Sequence, residues 1–521
     1  MPVRTSRYLP PTPQHILDRH DARVLSPSPG APQPSGYLVP APTVYRARSL
    51  RIPADLLDGG DRPAIDAALA GIGLELVRPE PGRGERNRPV VLRARGGQQP
   101  SPDVDAWQAL QQLRNRVSKA VADRIGLEHL LFPDNWTGVE GAYTPSGPGG
   151  NAVADLSSYV RTRGEGGRLP VVLYARKPAR CTDVALPRRP VVAVLDTGVS
   201  GHAWLDVPET TDPDGTGFVI VDTGIQGQIA ADPGAPSTLR PLATFREQPI
   251  GADLTAGPDN LLCGLGTHWG HGTFIAGIIR QAVPDARVLA IRVMYSDGIA
   301  HESDVLCALE AVESRVRQAQ AQGGDPSRMI DIVSLSIGYY PEDVDAASPD
   351  VTACIDRLTA LGVLVCAAAG NGSTDRKFYP AALADPQAVV RRPVISVGSL
   401  NPNRSKALFS NDGDWVRYWA PGAAVVSTFP RSTGSLGPDY RLAARAPELQ
   451  PQWRESLDDD DFDSGFALWN GTSFAAPMVA AQLARALIEG HRADLGNVTA
   501  EACGVRATAV SEALSEYVLP E

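Results

Sequence analysis

A chain of 521 residues with a net charge of −10 is long enough for a large buried core and for more than one domain. Its 43% hydrophobic and 21% charged residues describe an ordinary globular protein, and no apolar run is long enough to span a bilayer, so no membrane partner is expected. The first 133 residues carry roughly +5 and the remainder roughly −15, with no dense basic patch, so no nucleic-acid partner is expected either.

The six cysteines (Cys181, Cys263, Cys307, Cys354, Cys366 and Cys503) are scattered, and several lie in apolar runs. They form no C-x-x-C pair and no Cys/His cluster, so neither a zinc site nor a disulfide framework is expected. The N-terminal stretch Met1 to Pro10 lacks an apolar core, so no secretory signal is expected. Together these point to a reducing, cytoplasmic setting. The glycosylation-like patterns at Asn135, Asn371 and Asn470 then carry no meaning.

In chain order, residues 1–43 are rich in Pro, Ser and Ala without periodicity, which predicts a disordered tail. Residues 44–133 read as a compact unit. Val44 to Ile52 alternates like a strand, and Ala64 to Ile72 has helical spacing. Leu74 to Val77 and Pro89 to Arg95 are strand-like, Val104 to Val121 is helical, and Leu127 to Phe132 closes the set. The order β-α-β-β-α-β predicts a small ferredoxin-like α+β domain. Residues 134–188 read as a linker, with Gly-rich stretches at 143–150 and 161–168 suited to proteolytic processing.

The body, residues 189–521, opens with the apolar strand Val191 to Leu195, ending in Asp196-Thr197-Gly198. Similar strands are expected at 286–294, 330–338, 363–371 and 394–400, with helices at 273–281, 303–320 and 352–361 between most of them. Such alternation predicts a doubly wound, mostly parallel α/β sheet with helices on both faces. Ligands in such sheets bind beyond the carboxyl ends of the strands, where Asp196 and Asn371 stand.

Four stretches carry chemistry. Asp196 is a carboxylate at a buried strand end, costly to ionise without a partner; it also reads as a cap of its own turn. His271, in Gly270-His271-Gly272-Thr273, starts a helix and is able to exchange a proton near neutral pH; it also reads as a hydrogen-bonded helix-start residue. With His268 it makes H-x-x-H rather than the H-E-x-x-H of a zinc helix, so no metal is expected there. Asn371 follows a strand between glycines, suiting either an oxyanion donor or a left-handed turn. Ser473, in Asn470-Gly471-Thr472-Ser473-Phe474-Ala475-Ala476-Pro477, puts a hydroxyl at a helix N-terminus, either as a nucleophile beside free N–H groups or as a plain N-cap.

Taken together, these boxes resemble those of the subtilisin-like serine proteases, the subtilases, over roughly residues 189–490. The resemblance implies Ser473 as nucleophile, His271 as general base and then acid, and Asp196 as the group that holds the histidine. It implies an oxyanion site made by the Asn371 side chain and the Ser473 N–H. Ser336, Ile337 and Gly338 would pair with an extended peptide substrate, and Ala369 and Gly370 would line the pocket for the side chain before the cut. It also gives the ferredoxin-like domain a meaning, as a propeptide-type folding aid and inhibitor of the cleft. Tyr339 and Tyr340 depart from the family, where a second glycine is common after the binding strand. The acidic run Asp458 to Asp461 reads as a solvated loop, with selection of basic substrates or docking of the basic domain as sharper alternatives. Asp212-Pro213-Asp214-Gly215-Thr216 has calcium-loop chemistry without a complete ligand set, so no cofactor is expected. The expectation is thus a monomeric cytoplasmic serine endopeptidase acting on protein or peptide substrates. The alternative is a catalytically silent subtilase-like peptide-binding or scaffold protein.

Overall fold

The computed structural model describes residues 9, 12–26, 33–77, 89–96, 104–133, 168–181, 186–208, 216–230, 242, 244, 267–388, 393–431, 462, 464–512 and 514. The acidic run at 458–461, the calcium-like Asp212 to Gly215 and the Gly-rich stretches at 143–150 and 161–167 lie outside them.

Among the described residues, five strands and five helices precede residue 134. They are α1 (Gln14–Arg19), β1 (Ala22–Leu25), β2 (Thr43–Arg51), α2 (Ala54–Asp58), α3 (Arg62–Ala70), β3 (Leu74–Val77), β4 (Pro89–Ala94), α4 (Ala106–Arg116), α5 (Lys119–Ala122) and β5 (Gly126–Leu131). The spatial order β5-β2-β4-β3, antiparallel throughout, is the sheet that the β-α-β-β-α-β reading calls for. The helices α3 and α4 cover it through Ile65, Leu69, Leu110 and Leu113, packed against Leu50, Leu76 and Leu92. Helix α4 begins where Asp105 accepts hydrogen bonds from the N–H groups of Trp107 and Gln108.

In the body, β7 (Val191–Asp196), β8 (Val219–Val221), β9 (Arg287–Arg292), β11 (Ile332–Leu335), β12 (Leu364–Ala368), β13 (Val394–Leu400) and β14 (Tyr418–Pro421) form one parallel sheet, ordered β14-β13-β12-β11-β7-β9-β8. Alternation along β7 shows both faces buried. Val191, Ala193 and Leu195 join one core with α6 (Thr223–Ile229), α8 (Glu302–Gln320) and α9 (Pro349–Ala360). Val192 and Val194 join the other with α7 (His271–Ala282) and α10 (Thr472–His491). Helix α11 (Ala500–Glu512) adds Val510 to that second core. A small antiparallel sheet, β15 (Val425–Thr428), β16 (Phe466–Trp469) and β6 (Leu169–Pro170), lies apart from the main one. Among the described residues no helix is long and apolar enough to cross a membrane.

Two segments differ from expectation. The stretch anticipated as a disordered tail contains α1 and β1, and β1 pairs with β2. Its order comes from distant partners: Arg19 and His20 both reach Asp297, at 2.6 and 3.1 Å, and the Ile16 and Leu17 side chains join the body core. The end of the anticipated linker, residues 168–181, runs along the body, where Arg180 donates to the carbonyls of Thr216, Gly217, Pro284 and Ala286.

The two parts meet through buried charge. β5 pairs with the short strand β10 (Ala300–His301) of the body. Arg51 lies among Asp350 at 2.6 Å, Glu128 at 3.4 Å and Glu302 at 3.7 Å. His129 bridges Glu302 at 2.7 Å and Glu342 at 2.8 Å, and Glu128 accepts from the Ser303 N–H at the start of α8. Burial disfavours the charged imidazole, but the carboxylates of Glu342 and Glu302 outweigh it and raise the His129 pKa to about 10. Burial likewise opposes ionisation of Glu302, yet His129 and Arg51 hold it down to about 2.

Candidate active site

Three adjacent strand ends and two helix starts converge on one cleft. Asp196 closes β7 and is buried. His271 is the first residue of α7, and its Nδ1 stands 2.8 and 3.0 Å from the two carboxylate oxygens of Asp196. The short contact assigns the Nδ1 proton to that hydrogen bond and leaves Nε2 as the basic nitrogen. Close backbone approach makes the pair possible. Gly270 holds a left-handed φ of 89°, and a Cβ on Gly272 would stand 2.1 Å from the Gly198 carbonyl oxygen. Thr197 completes the join, its hydroxyl accepting from the Gly272 N–H at 2.9 Å.

Ser473 sits in the first turn of α10, so its own N–H is among those left without a partner inside the helix. Asn371 follows β12. Its Oδ1 accepts from the Thr472 N–H at 2.8 Å, which turns its NH2 group toward the cleft. The Thr472 hydroxyl accepts from the Gly370 N–H at 3.0 Å, so the asparagine turn and the serine turn are laced together. The Ser336 hydroxyl donates to the Ser473 carbonyl at 2.8 Å, tying the end of β11 to the same point.

The cleft is occupied by the protein's own chain. Directly after β5, Phe132 and Gly338 exchange both backbone hydrogen bonds, at 2.8 and 3.0 Å. With β10 pairing on β5, the segment is held as an added antiparallel strand. The Pro133 carbonyl oxygen lies 3.2 Å from Ser473 Oγ and 3.5 Å from Asn371 Nδ2. Ser473 Oγ also lies 3.3 Å from the Ser336 carbonyl oxygen. Among the described residues no hydrogen bond joins Ser473 to His271; the hydroxyl is engaged by the two carbonyls instead.

Of the residues singled out from the sequence, Asp196 with His271, and Ser473 with Asn371, are brought together as two pairs. Gly338 pairs with Phe132, Ser336 is bonded to Ser473, and Ile337 between them is buried. Ala369 is buried with its carbonyl on the Asn411 amide, and Gly370 is tied to Thr472. Sequence reasoning missed Phe378, whose ring lies against both glycines of this slot: a Cβ on Gly338 would be 2.5 Å from it, and one on Gly370 3.0 Å. Phe132 rests on this ring at 5.8 Å and on that of Tyr340 at 6.1 Å between centroids. Tyr340 is held by the Asn411 amide at 2.8 Å and by the Arg376 guanidinium 4.9 Å above its ring. The tyrosine pair after Gly338 was the available signal for this wall; nothing local marked Phe378. Among the described residues no group of three or more His, Cys, Asp or Glu is arranged to hold a metal ion.

Comparison with known proteins follows the same stretch of chain. The family profile described as "Subtilase family" matches residues 188–517. Subtilisin DY of Bacillus licheniformis is 29% identical over 177 residues, 32% of this chain and 55% of its own. Subtilisin BL of Lederbergia lenta is 27% identical over 253 residues, 46% of this chain and 67% of its own. A protein named "Intracellular serine protease", of Paenibacillus polymyxa, is 31% identical over 176 residues, 31% of this chain and 46% of its own. The chain thus spans about half to two thirds of the length of these relatives. The crystal structure of a cold adapted subtilisin-like serine proteinase aligns with 64% of this chain and 85% of its own at 18% identity, with a TM-score of 0.37, a likeness too loose to argue from.

Proposed function

Since the chain belongs to the subtilase family, we propose that it is a serine endopeptidase in which Ser473 attacks the substrate carbonyl, His271 takes and returns the proton, and Asp196 holds the imidazole. The observation that carries this reading is a convergence: Ser473 Oγ and Asn371 Nδ2 approach one carbonyl oxygen, beside a histidine already paired with a buried carboxylate. When a substrate carbonyl takes that place, attack on its carbon moves negative charge onto the oxygen. The Asn371 amide and the Ser473 N–H then stabilise that charge. The Ser473 proton passes to His271 Nε2 and on to the leaving amine, which leaves an acyl-enzyme for water to cleave.

The substrate in this reading is an extended peptide laid between β10 and Gly338, where residues 130–132 now lie. The N-terminal domain is then the cleft's own partner, an inhibitor whose buried ion pairs hold it in place and whose separation opens the site. The bond presented to Ser473 is the one after Pro133. A proline there has no N–H to give to the Ser336 carbonyl, so that bond is cut slowly and the domain stays seated. A reducing, cytoplasmic setting fits the buried Cys354, Cys366 and Cys503, which form no disulfide, and the likeness to a protease named as intracellular.

The occupied cleft and the absence of a Ser473–His271 hydrogen bond are what favours the silent, peptide-binding alternative. The two separate in an assay of peptide release from an unfolded protein mixture, run before and after the linker is cut. A peptidase releases peptides once the N-terminal domain is detached, and its Ser473→Ala variant releases none. Equal release by both proteins, or none from either, sinks the proposal.

A further inference from the structure

One buried cation outside the four sequence boxes touches both halves of the site. Arg168 stands immediately before β6, which pairs with β16 through Leu169 opposite Leu468 and Pro170 opposite Ala467. Its side chain leaves the surface altogether, with 1% of the residue exposed. The Nη1 group donates to the carbonyls of Thr267 at 2.8 Å and Trp269 at 3.3 Å, which flank His268 in the turn leading into His271. The guanidinium also lies 5.7 to 5.8 Å from the ring centroids of Phe429, Phe462 and Trp469. Trp469 ends the strand that leads to Ser473, and its ring meets His271 edge-on at 5.3 Å and Phe474 at the same distance. A flat guanidinium that meets three aromatic rings while one of its nitrogens serves two carbonyls is replaced poorly by the strongly hydrated point charge of a lysine.

We propose that Arg168 is a positioning residue of the active site, joining the histidine turn to the Trp469 wall before Ser473, so that the catalytic body begins at Arg168 and any cut that frees the N-terminal domain falls ahead of it. This rests on the peptidase reading above. Two features give the joint a role beyond packing. The Thr267 and Trp269 carbonyls belong to the turn whose tilt sets where the His271 ring points. His268, enclosed next to them, is pushed down to about 3, first by burial and then by the His271 and Arg168 charges. It therefore stays neutral while His271 carries the proton, and the pair does not repel itself apart. The strand pairing of 169–170 with 467–468 and the Val171 N–H to Phe466 carbonyl bond at 3.2 Å anchor the segment that directly follows Arg168.

The test uses the full chain with Arg168→Met and Arg168→Lys variants. The rate of Ser473 modification by a fluorophosphonate is measured against pH and reagent concentration, before and after self-cutting. The 15N resonances of the histidine rings are read on the uncut chain, where they report on the joint whether or not the cleft is covered. For Arg168→Met the maximal rate falls about tenfold or more with reagent affinity unchanged, as small displacements of a catalytic group do. Arg168→Lys recovers part of the rate, and the His268 and His271 resonances move in both variants. Any self-cut product starts at or before residue 168.

Unchanged rate and resonances in Arg168→Met overturn the proposal, and if that variant does not fold, the same result in Arg168→Lys does so. A fully reactive fragment beginning after Arg168 overturns it too. If the unmodified chain, once cut, never reacts while the resonances move as expected, the peptidase reading fails and the joint stands only as a structural clasp, which also overturns the catalytic role given to it.

Discussion

The histidine side of the cleft and the serine side are built from different parts of the chain. Asp196, Thr197, His271 and Gly272 bind one another within the body. Ser473 and Asn371 share a partner that the N-terminal domain supplies, the Pro133 carbonyl. One half of the site is therefore assembled independently of the domain, while the other is covered by it. In the proposed reading, inhibition acts by occupying the serine side and leaves the Asp196–His271 pair in place.

That contrast is open to attack from either side. The largest effect belongs to the body-only half: Asp196→Asn is expected to lower turnover about ten-thousandfold by favouring the wrong histidine tautomer. It should leave the grip on the N-terminal domain unchanged, measured as retention of the cut-off domain on the body during gel filtration. Glu302→Gln should do the reverse. It removes the anion shared by His129 and Arg51, and breaking a buried pair in this way costs about 3–5 kcal/mol. The cut domain should then dissociate, with turnover of the freed body as before. Loss of activity with the domain still bound would mean that the two halves are not separable.

Asn371→Ala touches the shared half, so both readouts should move. Turnover falls about a hundred- to a thousandfold, the loss known for an oxyanion donor of this kind, and the Pro133 carbonyl loses one of its two partners. The smallest effect is that of pH. The His129 pKa is raised by docking, so its contribution to binding is complete below the ordinary histidine value of 6.5 and fades as pH climbs through about 10. Calorimetry of domain binding between pH 6 and pH 10 should show this weakening. It should be gone in His129→Gln.

Much of this was legible in the sequence, and the parts that were not share a cause. The boxes around Asp196, His271, Asn371 and Ser473 are local patterns in which glycines, a strand end or a helix start force the chemistry into view. The β-α-β-β-α-β order was visible because periodicity is also local. Helix α1 was missed since what orders it is Arg19 and His20 against Asp297, a contact across most of the chain. Arg168 lay at the edge of a Gly-rich stretch that reads as solvated, and only its two carbonyl partners and aromatic cage reveal that it is buried. Phe378 was missed because a single phenylalanine before Tyr379-Pro380 looks like any core residue until Gly338 and Gly370 are seen against its ring.

The most direct measurement is an intact mass after fluorophosphonate treatment, made on the uncut chain, on the chain cut within 134–167, and on Ser473→Ala treated in both ways. The account predicts a single adduct on the cut protein, little or none on the uncut chain, and none on the variant. A cut protein freed of its N-terminal domain that takes up no adduct would contradict the claim that Ser473 is an activated nucleophile. Equal labelling of cut and uncut protein would contradict the claim that the domain covers it.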